Sequence, residues 1–289
     1  MREYIGFPFL LAVISNNFMF DNTCKFLAEN FPSDFATWLL GEPITLTKLS
    51  PKELSLEPIR ADALILLQSD ELILHIEFQT QPDEDIPFRM ADYRLRGYRR
   101  FPRKRMLQVV VYLQKVTTPK QLKLVKTTKF TLEQTTHRFQ VIRLWEQSSH
   151  LFMNNPGLLP FAVLSDASNK DDILQLVAAQ IDSITDRRTQ SNVTASAAIL
   201  AGLVLEEEVI MRLLRRDFMR ESLIYQSIKQ EGQAEGKAEG KAEGKVETTR
   251  EIAIKMLKKG VSIELIVEFT GLTPDAVQQL QTELPENQE

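Results

Sequence analysis

Cysteine and histidine are scarce in this 289-residue chain. Cys24 is its one cysteine, and His75, His137 and His150 are its three histidines. A lone thiol excludes an internal disulfide framework and any cysteine-built zinc site. Histidines this far apart form no local metal-ligand signature. Phosphate-binding glycine loops are missing as well. Neither G-x-x-x-x-G-K-[ST] nor G-x-G-x-x-G occurs, so a nucleotide-dependent enzyme finds no support. Apolar runs of membrane-spanning length are also lacking. The candidate Ile5 to Ile14 (IGFPFLLAVI) is too short to span a bilayer, and behind Arg2 it has neither a strong basic start nor a small-residue cleavage pattern. It reads as a buried N-terminal segment, or as sequence upstream of a native start at Met19. The expectation is a cytoplasmic protein with no membrane association.

Hydrophobic residues make up 43% and charged residues 26%, the balance of an ordinary globular chain. The net charge of −4 argues against a uniformly basic coat for nucleic acid, but it averages unlike segments. From Glu231 onward there are twelve acids and seven Lys/Arg, leaving 28 basic and 27 acidic residues before it. The strongest local excess is Arg89 to Arg105, with eight basic residues and one acid, Asp92. A polyanion site, if present, belongs there.

Periodicity predicts helices over Asp21–Phe31 and Ser33–Leu40, capped by Asp21 and Ser33, with Gly41 after the second. Ile44 to Leu49 is a candidate strand. Arg60–Leu67 and Leu72–Thr80 alternate apolar and polar residues around Gln68-Ser69-Asp70-Glu71, the pattern of a β-hairpin. A helix from Ile86 to Arg100 follows, bounded by Pro87 and Pro102. Met106–Leu113 is a continuous apolar strand of the kind buried on both faces, and Phe139–Trp145 a further strand. Helical segments near 170–182, 191–205 and 206–228 come after. This order predicts an α/β fold with an all-helical C-terminal extension. The divisions are an N-terminal segment 1–19, a core 20–150, a helical extension 151–230, a spacer 231–248 and a small helical unit 249–289.

The spacer repeats EGQA-EGKA-EGKA-EGKV. Glu and Lys four apart favour a helix, while each glycine costs about 1 kcal/mol and no apolar face is present to bury. In the terminal unit, Ser262 caps a helix ending at Gly271, and Thr273-Pro274-Asp275 opens another. The pair imitates a helix-turn-helix. Ser262 to Glu289, however, contains six acids and no Lys or Arg, which repels phosphate. Self-association, including a homodimer through these helices, or partner docking is the expectation for it.

The chemistry-bearing residues lie between Glu57 and Arg105. Along Leu72–Gln79, side chains alternate between faces. Leu72, Leu74, Ile76 and Phe78 form one, and Ile73, His75, Glu77 and Gln79 the other. A hairpin turning about Ser69 and Asp70 sets Asp62 opposite Glu77. Facing carboxylates repel unless a cation lies between them or one is protonated, and hard oxygen ligands suit Mg²⁺ or Mn²⁺. A hairpin with one solvated face accounts for the same alternation. On the following helix Arg89, Arg96 and Arg100, with Arg103 beyond, fall on one side, and Ala91, Leu95 and Tyr98 on a core-like one. Carboxylates beside such a helix suit phosphodiester hydrolysis; a solvated face balanced by Asp83, Glu84 and Asp85 is the bland alternative.

Asp62, and fifteen residues later Glu77-Phe78-Gln79, resembles the PD-(D/E)XK nuclease signature with glutamine in place of lysine. The surrounding residues are similar to one branch of that superfamily, the Rpn family of recombination-promoting nucleases and transposases: Phe20-Asp21 with Lys25-Phe26-Leu27, Arg60-Ala61-Asp62-Ala63-Leu64, His75-Ile76-Glu77-Phe78-Gln79, and Pro87-Phe88-Arg89-Met90 leading to Tyr93 and Tyr98. The resemblance covers Phe20 to Trp145, and the repeat and helical end look like that family's tail. It implies a restriction-endonuclease-like core, a mixed central sheet flanked by helices, and Mg²⁺-dependent DNA cleavage. Asp62 and Glu77 would be metal ligands, with the Phe78 carbonyl as a third. Gln79 would stand where lysine orients the attacking water; it hydrogen-bonds but brings no charge, which Arg89 or Arg60 would have to supply. Arg60, Arg89, Arg96 and Arg100 would hold DNA. Asp21 or Glu29 would complete the site. The leading expectation is thus a DNA endonuclease of low sequence specificity linked to recombination or transposition. The alternative is an inactive DNA-binding or assembly module on the same scaffold.

Overall fold

The apolar alternations and the valine run assemble into one sheet. The computed structural model describes residues 17–49, 64–214, 222, 248–259 and 261–283, within two compact units, Met1–Ile228 and Lys229–Glu289. Arg60, Asp62, the Ile5–Ile14 run, the Glu-Gly-Lys repeat and most of the 206–228 segment fall outside the described residues.

In the first unit, α1 (Asn17–Asn30) and α2 (Pro32–Leu40) precede β1 (Thr47–Lys48), β2 (Leu64–Gln68) and β3 (Leu72–Gln79). Helix α3 (Ile86–Arg100) then leads to β4 (Arg105–Tyr112), α4 (Pro119–Leu124), β5 (Lys129–Leu132), β6 (Thr135–Arg138) and β7 (Gln140–Arg143). After these come α5 (His150–Met153), α6 (Lys170–Asp182), α7 (Arg187–Ala201) and α8 (Glu207–Leu213). Five strands form a mixed sheet in the order β1-β2-β3-β4-β7, antiparallel from β1 to β3 and parallel from β3 to β7. Strands β5 and β6 make a separate hairpin. The unit is α/β, with helices flanking a mixed central sheet.

β2, β3 and β4 are the inner strands, and both faces of β3 and β4 are buried. Leu74, Ile76 and Phe78 join Val109 and Val111 in a core with α1, α6 and α7, so the helices between residues 150 and 213 pack on the same core as the sheet. Phe78 stacks on Phe161, with ring centroids 5.6 Å apart, and Phe35 meets both edge-on. Burying each such ring contributes about 2 kcal/mol. The opposite face is closed by α3. Its buried side is Ile86, Met90, Tyr93 and Gly97, spaced by four, three and four. Gly97 permits the close approach, since a Cβ there would sit 2.8 Å from Met106 Sδ. Pro87 opens α3, and Arg99 and Arg100 complement the dipole at its end.

Three expectations are corrected. The β2–β3 register pairs Leu64, not Asp62, with Glu77. The turn is tighter than expected: Ser69 N–H donates to the Leu72 carbonyl (2.9 Å) and Leu72 N–H to Ser69 Oγ (3.2 Å), leaving only Asp70 and Glu71 as the loop. Sliding by two residues keeps every side chain on its expected face. Second, Leu95 and Tyr98 are 66% and 55% exposed, because the buried stripe runs through Met90 and Tyr93 instead; only Ala91 of that trio is buried. Third, α1 begins at Asn17, which places Asp21 inside it, and Pro32 rather than Ser33 opens α2.

In the second unit a helix over 248–258 (α9) is followed by α10 (Ile263–Thr270) and α11 (Pro274–Glu283). Ala253, Ile266, Val277 and Leu280 form its small core. Gly271, at φ 71°, ends α10 in the left-handed conformation with its N–H on the Val267 carbonyl at 2.9 Å. Thr273 Oγ1 accepts from Ala276 N–H at 3.3 Å and starts α11.

Candidate active site

Period-two alternation on β3 sends His75 and Glu77 to the face covered by α3, and both are buried, at 0% and 2% exposure. A charged side chain in the middle of a sheet is costly unless partnered. Here the partner comes from the first turns of α3. Arg89 Nη2 lies 3.2 Å from Glu77 Oε1 and 3.3 Å from Asp83 Oδ2, so one guanidinium links the buried carboxylate to a surface acid. On the other side, His75 Nε2 stands 3.5 Å from Glu77 Oε2, without the geometry of a hydrogen bond, and neither atom has a hydrogen-bond partner among the described residues.

The surroundings extend the polar cluster. Tyr93 of α3 meets the His75 ring edge-on, with centroids 5.3 Å apart. Burial, and then the negative charge of Glu77, push its phenol above the ordinary tyrosine range. Tyr112 is pushed up to about 12, first by burial and then by Asp83, with Arg89 and Arg143 partly offsetting. Gln108 lies beside His75 in the β3–β4 register and is 4% exposed. Its Nε2 donates to the Met90 carbonyl at 2.8 Å and lies 3.0 Å from His75 Nδ1, while its Oε1 is 2.7 Å from His137 Nε2. Burial and the Arg94 charge push the His137 imidazole below the usual histidine range. The sequence reading passed over Gln108 and His137. The one polar residue inside Met106–Leu113 was the available signal, since a glutamine there must be satisfied within the fold.

The structure brings Glu77 and Arg89 together and places Gln79, half-buried, two residues further along the same face. Of the described arginines expected to hold DNA, Arg96 and Arg100 make their contacts elsewhere. Arg96 Nε bonds Asp92 at 2.8 Å, and Arg100 lies over the Phe101 ring at 5.8 Å. Glu84 pairs with Lys120 at 2.6 Å. The expected completing acids are also elsewhere. Glu29 pairs with Lys48 at 2.9 Å, and α1, which carries both Glu29 and Asp21, packs on the opposite face of the sheet from Glu77. Among the described residues no three His, Cys, Asp or Glu side chains converge to hold a metal ion. What fits such an ion is Glu77 Oε2, a buried hard oxygen without a hydrogen-bond partner; the other ligand that the sequence offers, Asp62, is outside the described residues.

In the second unit the charges are segregated. Arg250, Lys255, Lys258 and Lys259 lie on or just after α9, with Glu251 the one acid there, whereas 261–283 holds four acids and no base. The acidic stretch from Ser262 therefore shares its unit with a basic helix.

No curated protein and no solved structure matches the chain. Residues 246–282 match a family model described as the Rpn/YhgA-like nuclease family, C-terminal HTH domain. This overturns the expectation that the terminal helices only imitate a helix-turn-helix, and it supports membership of the Rpn family.

Proposed function

We propose that the chain is a Mg²⁺-dependent DNA endonuclease of low sequence specificity, acting in recombination or transposition, with a restriction-endonuclease-like core. The observation that carries this reading is the Glu77–Arg89 pair, a nearly buried carboxylate on strand β3 of the mixed sheet and a cation from helix α3 beside it. The helix-turn-helix match at the other end of the chain supports a DNA substrate. Glu77 Oε2 and Asp62 would hold the ion, with Mn²⁺ as a substitute. When bound, a divalent ion supplies an activated water and neutralises phosphate charge. Gln79 hydrogen-bonds and orients the attacking water, and Arg89, a quarter exposed, brings the positive charge that glutamine lacks. Arg60, Arg96 and Arg100 contact the DNA backbone, and the basic helix of the second unit adds non-specific affinity. Nicking of supercoiled plasmid by purified protein in Mg²⁺, and its loss in chelator, tests this.

One observation favours a second reading, a DNA-binding or assembly module that does not cut: Gln79 replaces the lysine of the signature. Comparing wild type with Gln79→Lys separates the two. Cleavage by both supports the nuclease, and cleavage by the lysine variant alone supports the inactive module.

A further inference from the structure

His75 and Glu77 are two neighbouring buried groups that each leave one polar atom without a hydrogen bond, Nε2 and Oε2. In a folded interior such atoms call for a reason. The reason depends on which nitrogen of His75 carries its proton. With a lone pair on Nε2, His75 and Glu77 would form a two-residue metal pair; with a proton there, His75 can only donate.

The neighbouring side chains decide between these. Gln108 Nε2 lies 2.8 Å from the Met90 carbonyl. A carbonyl only accepts, so this end of Gln108 is the NH₂ group, and a flipped amide would set two oxygens against each other. The second hydrogen of that NH₂ is directed at His75 Nδ1, 3.0 Å away, which therefore accepts. The amide oxygen is left for His137 Nε2 at 2.7 Å, which therefore donates. One backbone carbonyl thus sets the tautomers of two histidines. His75 carries its ring proton on Nε2, the nitrogen that lies 3.5 Å from Glu77 Oε2.

We propose that His75 is a positioning residue for Glu77. Held as its Nε2–H tautomer by the Met90 carbonyl–Gln108–His137 network, it carries an N–H rather than a lone pair on the nitrogen beside the carboxylate. It orients Glu77 together with Arg89 and is not itself a ligand of an ion bound there. Networks of this kind behind a ligand typically change affinity or activity by about 10–100-fold when broken. The placing of an ion on Glu77 rests on the proposed nuclease function; the tautomer does not.

Long-range ¹H–¹⁵N correlation of the imidazole rings in the labelled full chain, without added metal, reads the tautomer directly. The expected spectrum shows His75 as Nε2–H with Nδ1 accepting. A His75 spectrum with its proton on Nδ1 overturns the proposal, whether or not the protein cuts DNA. In Gln108→Leu, His75 is expected to become a tautomer mixture, and Mg²⁺-dependent kcat to fall about tenfold with KM little changed. A Gln108→Leu protein with an unaltered His75 tautomer also overturns it. Should that variant not fold, the wild-type spectrum alone decides. Should wild type not cut at all, the spectra still decide the tautomer while the nuclease reading fails separately.

Discussion

Arg89 Nη2 sits 3.2 Å from Glu77 Oε1, joining the first turns of α3 to the inner strand β3. The pair has a structural cost attached, because Glu77 is 2% exposed and cannot find water if the guanidinium is removed. Arg89→Ala is therefore expected to destabilise the first unit by about 2 kcal/mol, less than a fully buried pair because Arg89 itself is partly solvated. Arg89→Lys should recover part of this. Urea midpoints of the three proteins check it, and equal midpoints for wild type and alanine would show that the pair contributes nothing.

Tyr112 gives the fold a dependence on high pH. Its folded pKa of about 12 lies above the unfolded value near 10. The folded state thus holds the phenolic proton more tightly, and stability is fully present below pH 10 and lost as pH rises toward 12. The loss is on the order of 2 kcal/mol. Urea titrations at pH 9, 10 and 11 should show a falling midpoint that flattens in Tyr112→Phe.

Among the described residues of the second unit the positive charge lies on and just after α9, where Lys255, Lys258 and Lys259 are all exposed. If these neutralise phosphates, changing all three to glutamine lowers the slope of log K against log salt by about 2.7. Fluorescence anisotropy on duplex DNA at several salt concentrations measures this. An unchanged slope would place DNA binding elsewhere.

Much of this architecture is legible in the sequence. The bounds of α3 follow from Pro87, Pro102 and the basic run between them, and β4 from its valines. The hairpin register is not, because it turns on the Ser69 hydroxyl closing a two-residue loop, a local bond that alternation does not encode. The exposure of Leu95 and Tyr98 escaped for a related reason: several stripes on one helix look apolar, and only packing against the sheet selects Met90, Tyr93 and Gly97. The β5–β6 hairpin, rich in threonine and charge, has too little apolar alternation to announce itself. Of the site, Glu77 and Arg89 were legible from strand period and charge. Their pairing, and the Gln108 network behind them, required the β3–β4 alignment that sets His75 beside Gln108.

The most direct test of the nuclease reading is plasmid cleavage in Mg²⁺ by wild type, Glu77→Ala and Asp62→Ala, with circular dichroism confirming that each variant is folded. The account predicts nicking by wild type and a loss of at least about 100-fold in both variants, since each would remove an ion ligand. Folded variants that cut at the wild-type rate would contradict it.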